Sequence, residues 1–178
     1  MRARFHPALR LIHWTMAALI LLMLFVGIGM VSTAGPAYET LIRFHRPLGI
    51  AILAIVVVRL VIRLATGAPA LPADMPAPMK LVAKASHILL YAAMFAMPLI
   101  GWAMLSAGGY PVEIAKGLAL PPIVPQDLRL FGLLRLAHSL VAFAFFALIL
   151  AHLSAALVHA LIRRDGVFEA MGFAPRRQ

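Results

Sequence analysis

The chain has 178 residues, of which 63% are hydrophobic and 12% charged, with a mean hydropathy of +0.97 and a formal net charge of +10. A soluble domain is about half apolar, so folding in water is excluded, and no basic stretch is long enough to form a nucleic-acid-binding domain. The absence of cysteine excludes disulfides, thiolate haem ligation, iron–sulfur clusters and covalent haem attachment.

Four apolar segments, over 10–31, 47–65, 86–106 and 136–162, reach the roughly 18 to 25 residues that cross a bilayer as a helix. None alternates with the two-residue period of a barrel strand, and only a helix otherwise satisfies its backbone inside lipid. The predicted fold class is therefore an all-α membrane protein. It is a single domain over 1–178, built as a four-transmembrane-helix up-down bundle.

In chain order, His6 precedes the first helix and is expected at the surface. Ser32-Thr33-Ala34 resembles a weak cleavage site. The apolar stretch before it is longer than the about 7–15 residues of a signal-peptide core, so the first helix is expected to stay. The break over 32–40 holds Gly35 and Pro36. Pro47 is expected in the first turn of the second helix, where its missing N–H costs nothing. Arg59 and Arg63 are expected to snorkel to the interface. A proline-rich break over 67–78 follows, then a third helix that Pro98 should kink. A long loop over 108–126 leads to the fourth helix.

The basic residues set the orientation. With both termini on one side, that side receives Arg2, Arg4, Arg10, Arg59, Arg63, Lys80, Lys84, Arg163, Arg164, Arg176 and Arg177. The opposite side receives Arg43, Arg46, Lys116, Arg129 and Arg135. The excess predicts cytoplasmic termini in a multi-pass protein of the bacterial inner membrane.

His138 and His152 lie 14 residues apart on the fourth segment. That is close to four helical turns, so both rings share a face and stand roughly 21 Å apart along the axis. Depth places His45 alone opposite His138, near the outer face. The inner layer holds His13, His87, His152 and His159. His152 is the better ligand on the fourth helix, because His159 should already reach the headgroups, and either His13 or His87 could face His152. Histidines on different helices at two depths fit two stacked haems, each clamped by two imidazoles. A flat ring needs small neighbours, and the fourth helix supplies Ala142, Ala144, Ala147, Ala151, Ala155 and Ala156. Doubly ligated iron passes single electrons, so two such haems form a wire across the bilayer.

Several stretches carry a resemblance. They are Ile12-His13-Trp14, then His45 with Gly49-Ile50 and Val57-Val58-Arg59-Leu60, then Ser86-His87-Ile88-Leu89-Leu90-Tyr91. Met97-Pro98-Leu99-Ile100-Gly101 and the run from His138 through His152 to His159 complete the set. Over nearly the whole length the chain resembles the bacterial cytochrome b561 family of small di-haem membrane cytochromes. The resemblance implies two b-type haems, with His13 and His152 as axial ligands on the cytoplasmic side and His45 and His138 on the periplasmic side. It also implies electron exchange with ubiquinone and, in the superoxide oxidase branch, oxidation of periplasmic superoxide. In that branch the quinone sits by a basic loop residue and the histidine matching His159. Asp74 stands at about that loop position here, with Lys80 and Lys84 further on.

Arg43, Arg46, Arg129 and Arg135 lie near the outer ends of the second and fourth helices. They would steer superoxide or neutralise haem propionates. His87, His159, Ser86 and Lys84 fall at the inner side, where a quinone needs a proton donor. Two other functions fit the pattern. One is a membrane cytochrome subunit relaying electrons between a dehydrogenase or hydrogenase partner and quinone. The other is a non-haem metal-binding or transport bundle. The four apolar segments contain no Asp, Glu or Cys, and bare-ion sites usually use such ligands, which counts against the second.

Overall fold

The computed structural model describes residues 4–115 and 117–173. Arg2, Lys116, Arg176 and Arg177 of the charge pattern lie outside them. Helix α1 spans Pro7–Ser32, α2 Pro36–Thr66, α3 Ala77–Ala107 and α4 Leu128–Leu157. A π-helical turn, Val158–Arg163, continues α4, and a short helix α5, Val167–Met171, follows it. All four long helices have the length and composition to cross a membrane.

The helix ends follow local chemistry. His6 is exposed, as expected, and it also caps α1, its Nδ1 accepting from the Ala8 amide at 3.3 Å. Only Thr33, Ala34 and Gly35 separate α1 from α2, with Gly35 at φ +65° making the reversal. Asp127 caps α4, accepting from the amides of Arg129 at 2.7 Å and Leu130 at 3.0 Å, as an N-cap carboxylate does.

The helices run beyond the apolar segments. Helix α2 begins at Pro36, so Pro47 lies inside it rather than in its first turn. The reason is that Glu39, Thr40, Arg43, His45 and Arg46 lower the hydropathy without breaking the helix, and a spanning helix tolerates an internal proline whose freed carbonyl finds another partner. Helix α3 likewise continues through Pro98. The α3–α4 loop is not wholly irregular. Strands β1, Val112–Ala115, and β2, Leu118–Leu120, form an antiparallel hairpin with a bulge between Glu113 and Ala115.

Helix α1 packs closely on α2, α3 on α4, and α2 on α3, while the backbone of α4 scarcely approaches α1 or α2. Met16, Val56, Met94 and Phe145, one from each long helix, form a buried layer midway along the bundle. Large apolar side chains such as Phe25, Leu128 and Phe143 point outward, as expected where lipid is the solvent.

The start of α1 and helix α5 meet at one end of the bundle. The Phe5 amide donates to the Ala170 carbonyl at 3.1 Å, and Trp14 Nε1 donates to the Met171 carbonyl at 3.0 Å. Helix α5 thus folds back over the start of α1. At the other end Trp102 Nε1 holds the Pro121 carbonyl at 3.0 Å, fastening the hairpin loop to α3.

Candidate functional site

At the hairpin end, His45 of α2 faces His138 of α4 with ring centroids 6.2 Å apart and planes at 64°. At the terminal end, His13 of α1 faces His152 of α4 at 6.3 Å and 76°. Two imidazoles bonded to opposite sides of one metal at about 2 Å each would place their centroids roughly 6–6.5 Å apart. The helices bearing each pair hold their backbones apart, and the paired imidazole rings reach across between them.

The ring environments differ. Nδ1 of His45 and Nδ1 of His138 are buried without a hydrogen-bond partner. The Met97 carbonyl of α3 faces the His138 ring, yet no bond of good geometry forms. Gly101 lies against the same ring: a Cβ there would sit 3.4 Å from His138 Cε1 and 3.7 Å from Nδ1. Around His13 the polar groups are paired. Arg59 NH1 lies 2.9 Å from His13 Nδ1, and Arg59 Nε donates to the Tyr91 hydroxyl at 3.2 Å. Arg59 therefore turns into the bundle and does not snorkel, because it finds polar partners there. Arg63 donates to the Gly67 carbonyl and lies over the Phe5 ring.

His87 of α3 also reaches the terminal-end layer, 5.5 Å from His152. That separation is shorter than one metal between two rings requires. Its Nδ1 lies 2.6 Å from the Ala83 carbonyl, which also accepts from Ser86 Oγ at 2.9 Å. Lys84 is exposed. His159 stands elsewhere, on the π-helical turn. Its Nδ1 lies 2.8 Å from Asp165 Oδ2, and Arg163 Nε donates to the same oxygen at 3.1 Å. Arg163 also pairs with Asp74 at 3.0 Å. Burial pushes the Asp165 carboxyl up, but hydrogen bonds from His159, the Val167 amide and Arg163 outweigh it and hold it below the usual carboxylate range. No hydrogen bond or ring contact joins His159 to His87, Ser86 or Lys84 among the described residues.

On the hairpin side, Arg43, Arg46 and Pro47 line a cavity of about 220 Å³ with Glu113, Ile114 and Ala115 of β1. Arg129 and Arg135 stand exposed on α4 and do not line it. The basic residues of that end thus form one mouth at α2 and separate charges on α4.

The residue pairs suit a flat, doubly ligated cofactor. Opposed imidazoles on parted backbones stand at both levels; the orphaned ring nitrogens and Gly101 against the His138 ring belong to the hairpin-end pair, and this donor set fits haem. Arg59, Tyr91, Asp165 and Gly101 were missed as site residues on sequence alone. Arg59, Tyr91 and Gly101 stood in the stretches that carry the family resemblance but were given no site role, and Arg59 was also conspicuous as a cation in an apolar run.

Comparison with known proteins agrees in kind. The family described as prokaryotic cytochrome b561 matches residues 4–174. The chain is 30% identical over 162 residues, 90% of either chain, to a Yersinia pestis protein named "Probable superoxide oxidase CybB". It is 27% identical to the Escherichia coli cytochrome b561 homolog 1, over 98% of this chain and 99% of that one. It is 25% identical to the cytochrome b561 homolog 2 of the same organism, over 89% and 86%.

Proposed function

The chain belongs to the prokaryotic cytochrome b561 family, a membrane electron-transfer family that uses b-type haem, and from that premise we propose that it carries two haems and moves electrons from periplasmic superoxide to ubiquinone. The observation that carries this reading is the stacking of two opposed histidine pairs, 6.2 and 6.3 Å across, at two levels of one bundle. His45 and His138 hold the haem nearer the hairpin end, which faces the periplasm. His13 and His152 hold the other, on the cytoplasmic side with both termini. Bound there, the haems supply a one-electron relay between the two faces.

The protein's own groups serve the two ends. Arg43 and Arg46 line a basic mouth beside His45, where a small anion is drawn in. Two superoxide anions each lose one electron and leave as oxygen. At the terminal end, ubiquinone takes up those two electrons with two protons. His159, fixed by Asp165 through Nδ1, is the proton donor best separated from the haem layer, and His87 with Ser86 and Lys84 borders that layer. The name of the Yersinia relative supports superoxide as donor.

The test is stopped-flow spectroscopy of the detergent-purified protein with oxidised haem. Superoxide should reduce the haem at a rate that falls with ionic strength, and added ubiquinone should reoxidise it. Reduction only by a co-purified partner protein would contradict superoxide as donor.

A further inference from the structure

Arg59 lies about two turns before the end of α2, part-buried in a spanning helix. Its NH1 is 2.9 Å from His13 Nδ1, its Nε donates to the Tyr91 hydroxyl at 3.2 Å, and its Cζ stands 5.8 Å from the Tyr91 ring centroid. None of these partners is an anion. Among the described residues no carboxylate pairs with Arg59; of the terminal-end acids, Asp74 and Asp165 are engaged by Arg163 and Glu169 is exposed on α5. A cation inside a membrane is costly, rare and usually functional, and a desolvated charge calls for an opposite one.

The contact with His13 cannot persist once His13 binds a metal. A guanidinium only donates, so Nδ1 accepts and the ring proton sits on Nε2. An imidazole that ligates through Nε2 carries its proton on Nδ1 and needs an acceptor there. Ligation through Nδ1 would need the very position that the guanidinium occupies. In either case a ligating His13 cannot accept from Arg59, and the guanidinium stands beside the haem layer as a full positive charge. Haem brings two carboxylates, the anions that this layer lacks. The hairpin-end pair differs, since neither His45 Nδ1 nor His138 Nδ1 holds a guanidinium.

We propose that Arg59 binds a carboxylate of the haem held between His13 and His152, while Tyr91 holds the guanidinium in place. The proposal rests on the assignment of a haem to that pair. It makes Arg59 a cofactor-binding residue.

The test compares haem b with its dimethyl ester, in which both carboxylates are blocked. Full-length protein carrying His138→Ala, so that only the His13–His152 layer reports, is depleted of haem and titrated with each compound, with Arg59 intact or as Arg59→Gln. With Arg59 intact, haem b should bind at least about tenfold more tightly than the ester. Arg59→Gln should abolish that preference, and Arg59→Lys should keep part of it. An undiminished preference in Arg59→Gln would overturn the proposal. So would equal binding of acid and ester with Arg59 intact, a comparison that needs no Arg59 variant to fold. Failure of both compounds to bind in the His138→Ala background would instead overturn the ligand pair on which the proposal rests.

Discussion

His159 Nδ1 and Asp165 Oδ2 lie 2.8 Å apart across the π-helical turn that ends α4, each side chain 13% exposed. With Asp165 ionised, this bond places the imidazole proton on Nδ1 and leaves Nε2 to exchange protons elsewhere. Asp165 is therefore a positioning residue for His159.

Asp165→Asn should keep haem content and reduction by superoxide while slowing quinone-dependent reoxidation by roughly ten- to a hundredfold, the range of a general acid–base contribution at its lower end. Its pH profile should also change, since an amide no longer fixes the ring. Unchanged reoxidation across pH would remove His159 and Asp165 from the quinone end.

The same carboxylate predicts an acid-stability effect. Its folded-state value is held below the reference of 3.8. The group therefore contributes stability that is present above pH 3.8 and lost as pH falls through the folded value. Asp165→Asn should destabilise the detergent-solubilised protein by about 1–3 kcal/mol near neutral pH. The two melting curves should converge below pH 3.8. A gap that stays constant into acid would contradict the assignment.

Gly101 and His138 make another prediction. Gly101→Ala needs the ring to yield by only a few tenths of an ångström, because the added Cβ would sit 3.4 Å from Cε1. It should leave haem content intact and perturb one of two haem spectra. Gly101→Leu should lose that haem alone. Retention of both haems with unchanged spectra in Gly101→Leu would show that the ring does not ligate at that position.

Much of this was legible in the sequence. Hydropathy located the four spanning helices, because lipid requires a long apolar run whatever the packing. Helical spacing placed His138 and His152 on one face, and depth alone matched His45 to His138. The helix starts were not legible. Residues 36–46 and 128–135 are helical yet polar enough to end an apolar window. The hairpin at Val112–Leu120 was missed because its strands are three or four residues long. The choice between His13 and His87 could not come from depth, since both lie beside His152; the family resemblance alone favoured His13. The Arg59–His13 and His159–Asp165 contacts depend on side-chain direction, which spacing does not report across helices.

At the hairpin end, Arg43 shares its cavity with Arg46 and Glu113. Arg43→Gln should slow haem reduction by superoxide several-fold at low salt, with the difference fading as the Debye length shrinks. Glu113→Gln should act in the opposite sense. Rates indifferent to both substitutions and to salt would show that superoxide, if it reacts, does not enter by this mouth.

The most direct measurement is haem quantification with a reduced-minus-oxidised spectrum on the purified protein and on His138→Ala and His152→Ala. Two low-spin b-type haems per chain are expected, each variant losing one haem and retaining a spectrally different other. One haem in the unaltered protein, or loss of the same haem in both variants, would contradict two stacked histidine-ligated centres.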